Sequence, residues 1–403
     1  MIFQRINHAT IIAATVGIIG AVVLIASHAA GTPAAFEPET GQFSSNVSVI
    51  DMTTASGGKI VRFGEAVSSG GFGMSVPLLP EQSVAVQQQW LTDMKALGIT
   101  WIRIDIDWWT VQPDGPAGYN WSRYDTTLDL AQRNGLKVLG IIAYTPPWAR
   151  SAQCAQDPKC QPADFNVYAN YAKTVVQRYG NQLSAIEIWN EPNALSFWRP
   201  TPNATTYASM LKAAYTAVKS VVPSMPVLTG GTAPACTCNG NISPIDFATG
   251  LYGAGAKNYF DGLAHHPYSY PAPPNDVQPW SSWSQMTQTS PSIRGVMTAN
   301  GDGSKLLWLT EAGAPTNGPG AVATCSNYNY GGSPDHVDDC LQSLILTQVV
   351  QNVKAVSWDG VTFFYSYQDN NSNDPSTVEN HFGIVRSNGS QKPSYAALKN
   401  SLQ

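Results

Sequence analysis

"TWIRIDID", residues 100 to 107, carries one apolar row and one charged row. Side chains alternate across a strand, so Ile102, Ile104 and Ile106 share one face while Arg103, Asp105 and Asp107 share the other. The isoleucine face calls for covering helices. The charged face is tolerable inside a fold only where its charges find partners, so it predicts an internal polar network. A barrel meets both demands, with helices outside and the charged row aimed at its axis.

Seven further runs have similar length and apolar character: "GFGMSV" (71–76), "KVLGIIAY" (137–144), "SAIEIWN" (184–190), "MPVLTG" (225–230), "FDGLAHH" (260–266), "KLLWLTE" (305–311) and "GVTFFYSY" (360–367). Amphipathic stretches separate them, among them "SVAVQQQWLTDMKALG" (83–98), "YDTTLDLAQRNG" (124–135), "NVYANYAKTVVQRYG" (166–180) and "TYASMLKAAYTAVKSV" (206–221). Several end in the glycine that closes a helix. Strands alternating with helices imply a parallel sheet, and eight repeats suit an α/β fold of the (β/α)8 TIM barrel type. An open doubly wound sheet is the alternative. It is disfavoured because no G-x-G-x-x-G loop follows the first strand.

Composition narrows the function. Of 403 residues, 43% are hydrophobic and only 12% charged, with a net charge of -5. Without a basic patch the chain lacks the footprint of a nucleic-acid binder. Twelve Trp and seventeen Tyr suit a large core and stacking on sugar faces. The front of the chain reads differently. Arg5 precedes an uncharged apolar run from Ile11 to Ala26, followed by small residues including Ser27 and Ala29, the pattern of an export signal. The run is just short of the roughly 20 residues of a spanning helix, so an uncleaved membrane tether is the alternative to a cleaved signal. The expected organisation is a signal peptide or anchor over 1–35, a linker and extension over 36–65, and a catalytic barrel over 66–403. The folded part would be secreted or held on the outer face of the cytoplasmic membrane. Six Cys in an exported chain point to disulfides, with Cys154–Cys160 and Cys325–Cys340 favoured by spacing and Cys236 and Cys238 left over.

Barrels of this type place their chemistry at the C-terminal ends of the strands. Those ends carry Trp108 and Trp109, Trp148, Asn190 and Glu191, His266 and Tyr268, Glu311, and Tyr365 and Tyr367. A pair of carboxylates across a cleft lined by aromatic residues is what hydrolysis of a glycosidic bond requires. One protonates the leaving oxygen and the other meets the sugar carbon. Alternation also places Glu187 in the row of Glu191, within reach of Arg103, and places His266 rather than His265 in the row of Tyr268. Strict alternation would turn Asn190 away from Glu191, so both can face one sugar only if the strand bulges or ends there.

"WNEPN" (189–193) followed by "WLTEAG" (308–313), with "WIRID" (101–105) upstream and "HPY" (266–268) between, resembles the retaining β-glycosidases of glycoside hydrolase clan A. Within the clan, "YNWSRYDTTLDLAQRNGLKVLGIIAYTPPWA" (119–149) is most similar to family 39, the β-xylosidases and exopolysaccharide endoglycosidases, with family 5 cellulases next. The likeness runs from about residue 66 to "FGIVRSNGSQKPSYAAL" (382–398). It implies that Glu191 is the acid/base, Glu311 the nucleophile and Asn190 the ligand of the sugar 2-hydroxyl. It also implies that Arg103 orients Glu311 and that His266 and Tyr268 shape the site, with no metal or organic cofactor. Trp109, Trp148 and Tyr367 are the expected aromatic contacts to an oligo- or polysaccharide from a cell wall or extracellular matrix. Trp198, Trp280 and Trp283 are further candidate platforms. Clan members commonly carry a Trp in strand eight, where this chain offers Tyr365 and Tyr367, which leaves the sugar open. Two alternatives keep the same site: a carbohydrate-binding barrel without catalysis, and a transglycosylase.

Overall fold

A computed structural model describes residues 47–51, 59–63 and 70–403. The expected signal or anchor segment lies outside them. Among the described residues no helix is long and apolar enough to cross a membrane. The chain divides into two units, Met1–Glu65 and Ala66–Gln403. In the first, where the sequence reading expects a linker and extension, Val47–Asp51 and Lys59–Phe63 pair as antiparallel strands.

The second unit is a closed parallel barrel of eight strands. In chain order they are β1 (Phe72–Ser75), β2 (Trp101–Asp107), β3 (Lys137–Ala143), β4 (Ala185–Ile188), β5 (Val227–Thr229), β6 (Gly262–His265), β7 (Leu306–Ala312) and β8 (Asp359–Tyr365), and β8 closes the ring by pairing with both β7 and β1. A helix returns the chain after each: α1 (Val84–Leu97), α2 (Ser122–Arg133), α3 (Phe165–Tyr179), α4 (Ala204–Lys219), α5 (Pro244–Gly253), α6 (Ile293–Ala299), α7 (Asp339–Lys354) and α8 (Pro393–Leu402). Most start where a short polar side chain accepts an otherwise unsatisfied backbone N–H. Asp164 accepts from Asn166, Asn203 from Thr206 and Asp338 from Leu341. Helix α1 stops at Gly98, whose φ of 104° lies in the left-handed region that a residue with a Cβ adopts at a cost.

Two apolar layers follow from the alternation in the strands. Ile102, Ile104 and Ile106 face outward and join the main core with Leu91, Met94 and Leu97 of α1. Burying each isoleucine contributes roughly 1.5–3 kcal/mol. Inside the barrel, Trp101, Leu139, Ala185, Leu228, Ala264, Val361 and Phe363 form a separate plug with Trp308. The Trp308 ring fits because β8 has a glycine beside it: a Cβ on Gly360 would lie 2.5 Å from the indole. Disulfides join Cys154 to Cys160, Cys236 to Cys238 and Cys325 to Cys340.

Candidate active site

One step above the plug, the inward row of β2 meets the other strands in a charged cluster. Arg103 is 1% exposed and uses nearly all its donors. Its Nε and Nη2 donate to the two oxygens of Glu187 (2.8 and 3.1 Å), Nη1 to Glu311 Oε1 (2.6 Å) and Ser75 Oγ (3.1 Å), and Nη2 also to Asn190 Oδ1 (2.8 Å). Glu187 accepts a further bond from the Gly231 N–H (2.7 Å). The predicted polar network is therefore a layer in which one arginine joins β2, β4 and β7. Burial disfavours its charge, but Glu187 and Glu311 together outweigh burial and raise its pKa.

Strand β4 ends at Ile188, and the next residues abandon its alternation. Trp189 has φ 70° and Glu191 φ 48°, both left-handed. Such a conformation costs a non-glycine residue on the order of 1–3 kcal/mol, so surrounding contacts must impose it. They do so on both sides. The Trp189 indole is fully buried, donates to the Phe197 carbonyl (2.8 Å) and meets the Tyr144 and Trp198 rings edge-on. Glu191 N–H donates to Gly231 O (3.0 Å), and the Asn193 amide makes three bonds to the loop after β5. The double reversal brings Asn190 and Glu191 into one cleft, resolving the conflict that strict alternation posed.

Glu191 and Glu311 face each other there with His266 between. His266 Nδ1 lies 2.8 Å from Glu191 Oε1 and 3.6 Å from Glu311 Oε2. Tyr268 donates to Glu311 Oε2 at 2.7 Å. One oxygen of each carboxylate and a His266 nitrogen all lie within 4.8 Å of one another. Gly231 makes room, since a Cβ on it would sit 2.3 Å from His266 Nε2. His265, by contrast, turns outward to Thr232 and the Ser282 carbonyl, and burial holds its pKa down to about 3.

The environments of the two carboxyls differ in sign. Burial raises the pKa of Glu191, and the neighbouring Glu311 anion adds to it, against the pull of His266. Burial also opposes the charge on Glu311, but His266, Arg103 and the Tyr268 hydroxyl outweigh it and lower its pKa. The site can thus hold one carboxyl protonated beside one ionised. The same three side chains are spaced to hold a metal ion, although Glu311 already accepts from Arg103 and Tyr268, donors that a cation would displace. Among the described residues the other such group contains Cys325 and Cys340, which are disulfide-bonded and have no thiolate to offer.

The model of the cellulase family, glycosyl hydrolase family 5, matches residues 62–324, a span that includes both carboxylates and stops before β8. The chain belongs to this family. The family belongs to glycoside hydrolase clan A and is the second of the two families the motifs of this chain resemble. Curated relatives match only locally: β-amylase 1 of Arabidopsis thaliana is 37% identical over 54 residues, 13% of this chain and 9% of the amylase. Solved structures share the fold over more of the chain. A family 39 glycoside hydrolase from Bacteroides cellulosilyticus WH2 matches with a TM-score of 0.62 at 21% identity, covering 85% of this chain and 66% of that one. GH5_18 from Streptomyces cattleya, in complex with GlcNAc, matches at 0.59 and 15% identity, covering 83% and 80%.

The family 5 cleft has a volume of about 430 Å³ and is walled by Tyr144, Phe197, Tyr268, Tyr270, Tyr365 and Phe382, with Asp105, Lys159 and Glu379 among its polar groups. Three expected aromatic contacts do not line it. Trp109 is 45% exposed, and its backbone N–H donates to the Tyr144 carbonyl (3.0 Å). Trp148 donates to the Gln112 carbonyl (2.8 Å) and packs edge-on against Trp108. Tyr367 is 4% exposed, and its hydroxyl reaches outward to Asp93 of α1 (2.8 Å) because the chain turns after Tyr365. Trp198 and Trp283 are buried in the core, whereas Trp280 is 51% exposed and lines an adjoining groove that shares Tyr268 and Tyr270 with the cleft. Phe197 and Lys159 carry no motif or spacing that marks them in the sequence, and Tyr144 and Phe382, though inside quoted stretches, are not singled out by them. They reach the site through loops, where no periodicity operates.

Proposed function

We propose that the protein is a retaining β-glycosidase that hydrolyses O-glycosidic bonds of a cell-wall or extracellular polysaccharide by double displacement. The observation that carries this is the approach of Glu191 and Glu311, whose nearest oxygens lie within 4.8 Å. Retaining enzymes keep their carboxyls about 5–5.5 Å apart, whereas inverting ones leave about 6.5–9.5 Å for a water. Glu311, ionised by Arg103 and Tyr268, attacks the anomeric carbon as the C–O bond to the leaving group breaks. Glu191 gives its proton to that oxygen. The product is a covalent glycosyl ester on Glu311 and an anionic Glu191. Esterification removes the Glu311 charge, so Glu191 now takes a proton from water as the water attacks and Glu311 leaves. In this reading Asn190, which accepts from Arg103 next to Glu191, binds the sugar 2-hydroxyl.

Three disulfides suit an oxidising compartment, which supports action outside the cytoplasmic membrane. The test of the chemistry is labelling by activated 2-deoxy-2-fluoro β-glycosides followed by peptide mass mapping. An adduct on Glu311 is expected, and an adduct elsewhere, or none on any sugar of the set, overturns the assignment.

A further inference from the structure

Most ionic side chains around the two carboxylates have a hydrogen-bond partner in the protein, and two have none. The Asp105 carboxylate near the end of β2 and the Lys159 ammonium in the loop after β3 both line the cleft with Asn190 and Glu191. Neither makes a hydrogen bond or an ion pair with any described residue. Lys159 Nζ instead lies 3.1 Å from the centre of the Tyr144 ring and 5.2 Å from that of Phe197. The loop that carries it is fixed by the Cys154–Cys160 disulfide and by the Arg199 N–H donating to the Lys159 carbonyl (3.0 Å). Burial raises the pKa of Asp105 to about 6, against Arg103 and Lys159. A preset acceptor and a preset donor therefore face the cleft without partners, and leaving such groups unpaired costs free energy that a ligand recovers.

We propose that Asp105 and Lys159 determine specificity by binding a vicinal diol of a neutral sugar, one hydroxyl donating to Asp105 and its neighbour accepting from Lys159. The inference rests on the reading of Glu191 and Glu311 given above. Neutrality follows from the charges around the cleft. A sugar carboxylate would be desolvated beside Asp105, Glu191, Glu311 and Glu379, and an ammonium in place of the hydroxyl that accepts from Lys159 would set two cations, neither with an acceptor to offer, against each other. A diol satisfies both groups without adding charge.

The experiment uses the full chain with aryl β-glycosides of neutral mono- and disaccharides, the matched glucuronides, and monodeoxy forms of the best substrate. The neutral glycoside is expected to react at least about 10²-fold faster than its uronide. Asp105→Asn and Lys159→Met should each lower kcat/KM by about 10–100-fold on the parent sugar, the range for a hydrogen bond to a charged group. On the monodeoxy sugar that lacks the hydroxyl concerned, each variant and the wild type should converge to within about threefold, and Lys159→Arg should recover part of the loss on the parent. Equal loss on every deoxy sugar, a preference for the uronide, or inertness of the wild type toward all neutral glycosides overturns the proposal. Labelling of Glu311 by the 2-fluoro reagents separates the two readings. A labelled enzyme without convergence loses only the diol, whereas an unlabelled wild type loses the reaction itself.

Discussion

The lower and upper halves of the barrel axis are built from the same strands and hold together by different physics. Along β2 the inward side chains are Trp101, Arg103 and Asp105, spaced by about 6.6–6.8 Å per step. Trp101 packs edge-on against Trp308 and Phe363 in a plug without charge. Arg103, one step up, is equally buried but holds its place through bonds to Glu187, Glu311, Ser75 and Asn190. Asp105, a further step up, is bonded to nothing described. Packing gives way to fixed partners and then to open valences within about 13 Å, and the third layer is the one the substrate completes. The plug can be redesigned by volume; the layer above it can be changed only at the expense of an unpaired charge.

That contrast can be broken in three ways. Glu311→Ala should lower turnover on the order of 10⁴-fold or more, with azide restoring activity as a glycosyl azide of inverted configuration. Full activity in the variant would remove the upper layer from the chemistry. Phe363→Ala should do the opposite, costing about 3–5 kcal/mol in a denaturant titration with kcat/KM of the folded fraction unchanged to within about threefold. Replacing Arg103 by Met should fail on both counts, with about 3–5 kcal/mol of stability lost because Glu187 stays buried without its cation. A variant as stable as the wild type would show that packing, not pairing, holds the upper layer.

The pH profile sharpens the comparison within the site. The Glu311 pKa is lowered, so the acid limb of kcat/KM should lie below the ordinary glutamate range. The Glu191 pKa is raised, so activity should fall on the alkaline side as that proton is lost. Glu191→Gln should abolish the alkaline limb and cost about 10²–10⁴-fold on substrates with poor leaving groups, and far less with dinitrophenolate. The smallest effect is expected at Tyr367→Phe: about 1 kcal/mol of stability from the lost bond to Asp93, with kcat/KM unchanged. A large loss of activity there would return Tyr367 to the substrate.

Where periodicity operates, the chain could be read closely. All eight strands fall within about two residues of the expected runs, because buried apolar faces and helix caps mark their ends, and the Arg103–Glu187 pair follows from counting by twos. The carboxylates were legible through their motifs. What escaped lies past strand ends. Trp189 and Glu191 enter the left-handed region, Tyr367 sits beyond the last residue of β8, Trp109 is exposed, and Trp148 turns away from the cleft. None of these directions is set by alternation, and Trp148 turns to Gln112 and Trp108 of the neighbouring loop, after β2. Lys159 depends on a disulfide loop whose spacing could be noticed but whose aim toward the cleft could not.

The separation of Glu191 and Glu311 carries the account, and the configuration of the first-formed product reports on it directly. Proton NMR of an aryl β-glycoside turned over by the wild-type chain should show the β-anomer of the free sugar first, with the α-anomer rising only as mutarotation proceeds. Initial release of the α-anomer would mean that water, and not Glu311, attacks the sugar, and would contradict the double displacement.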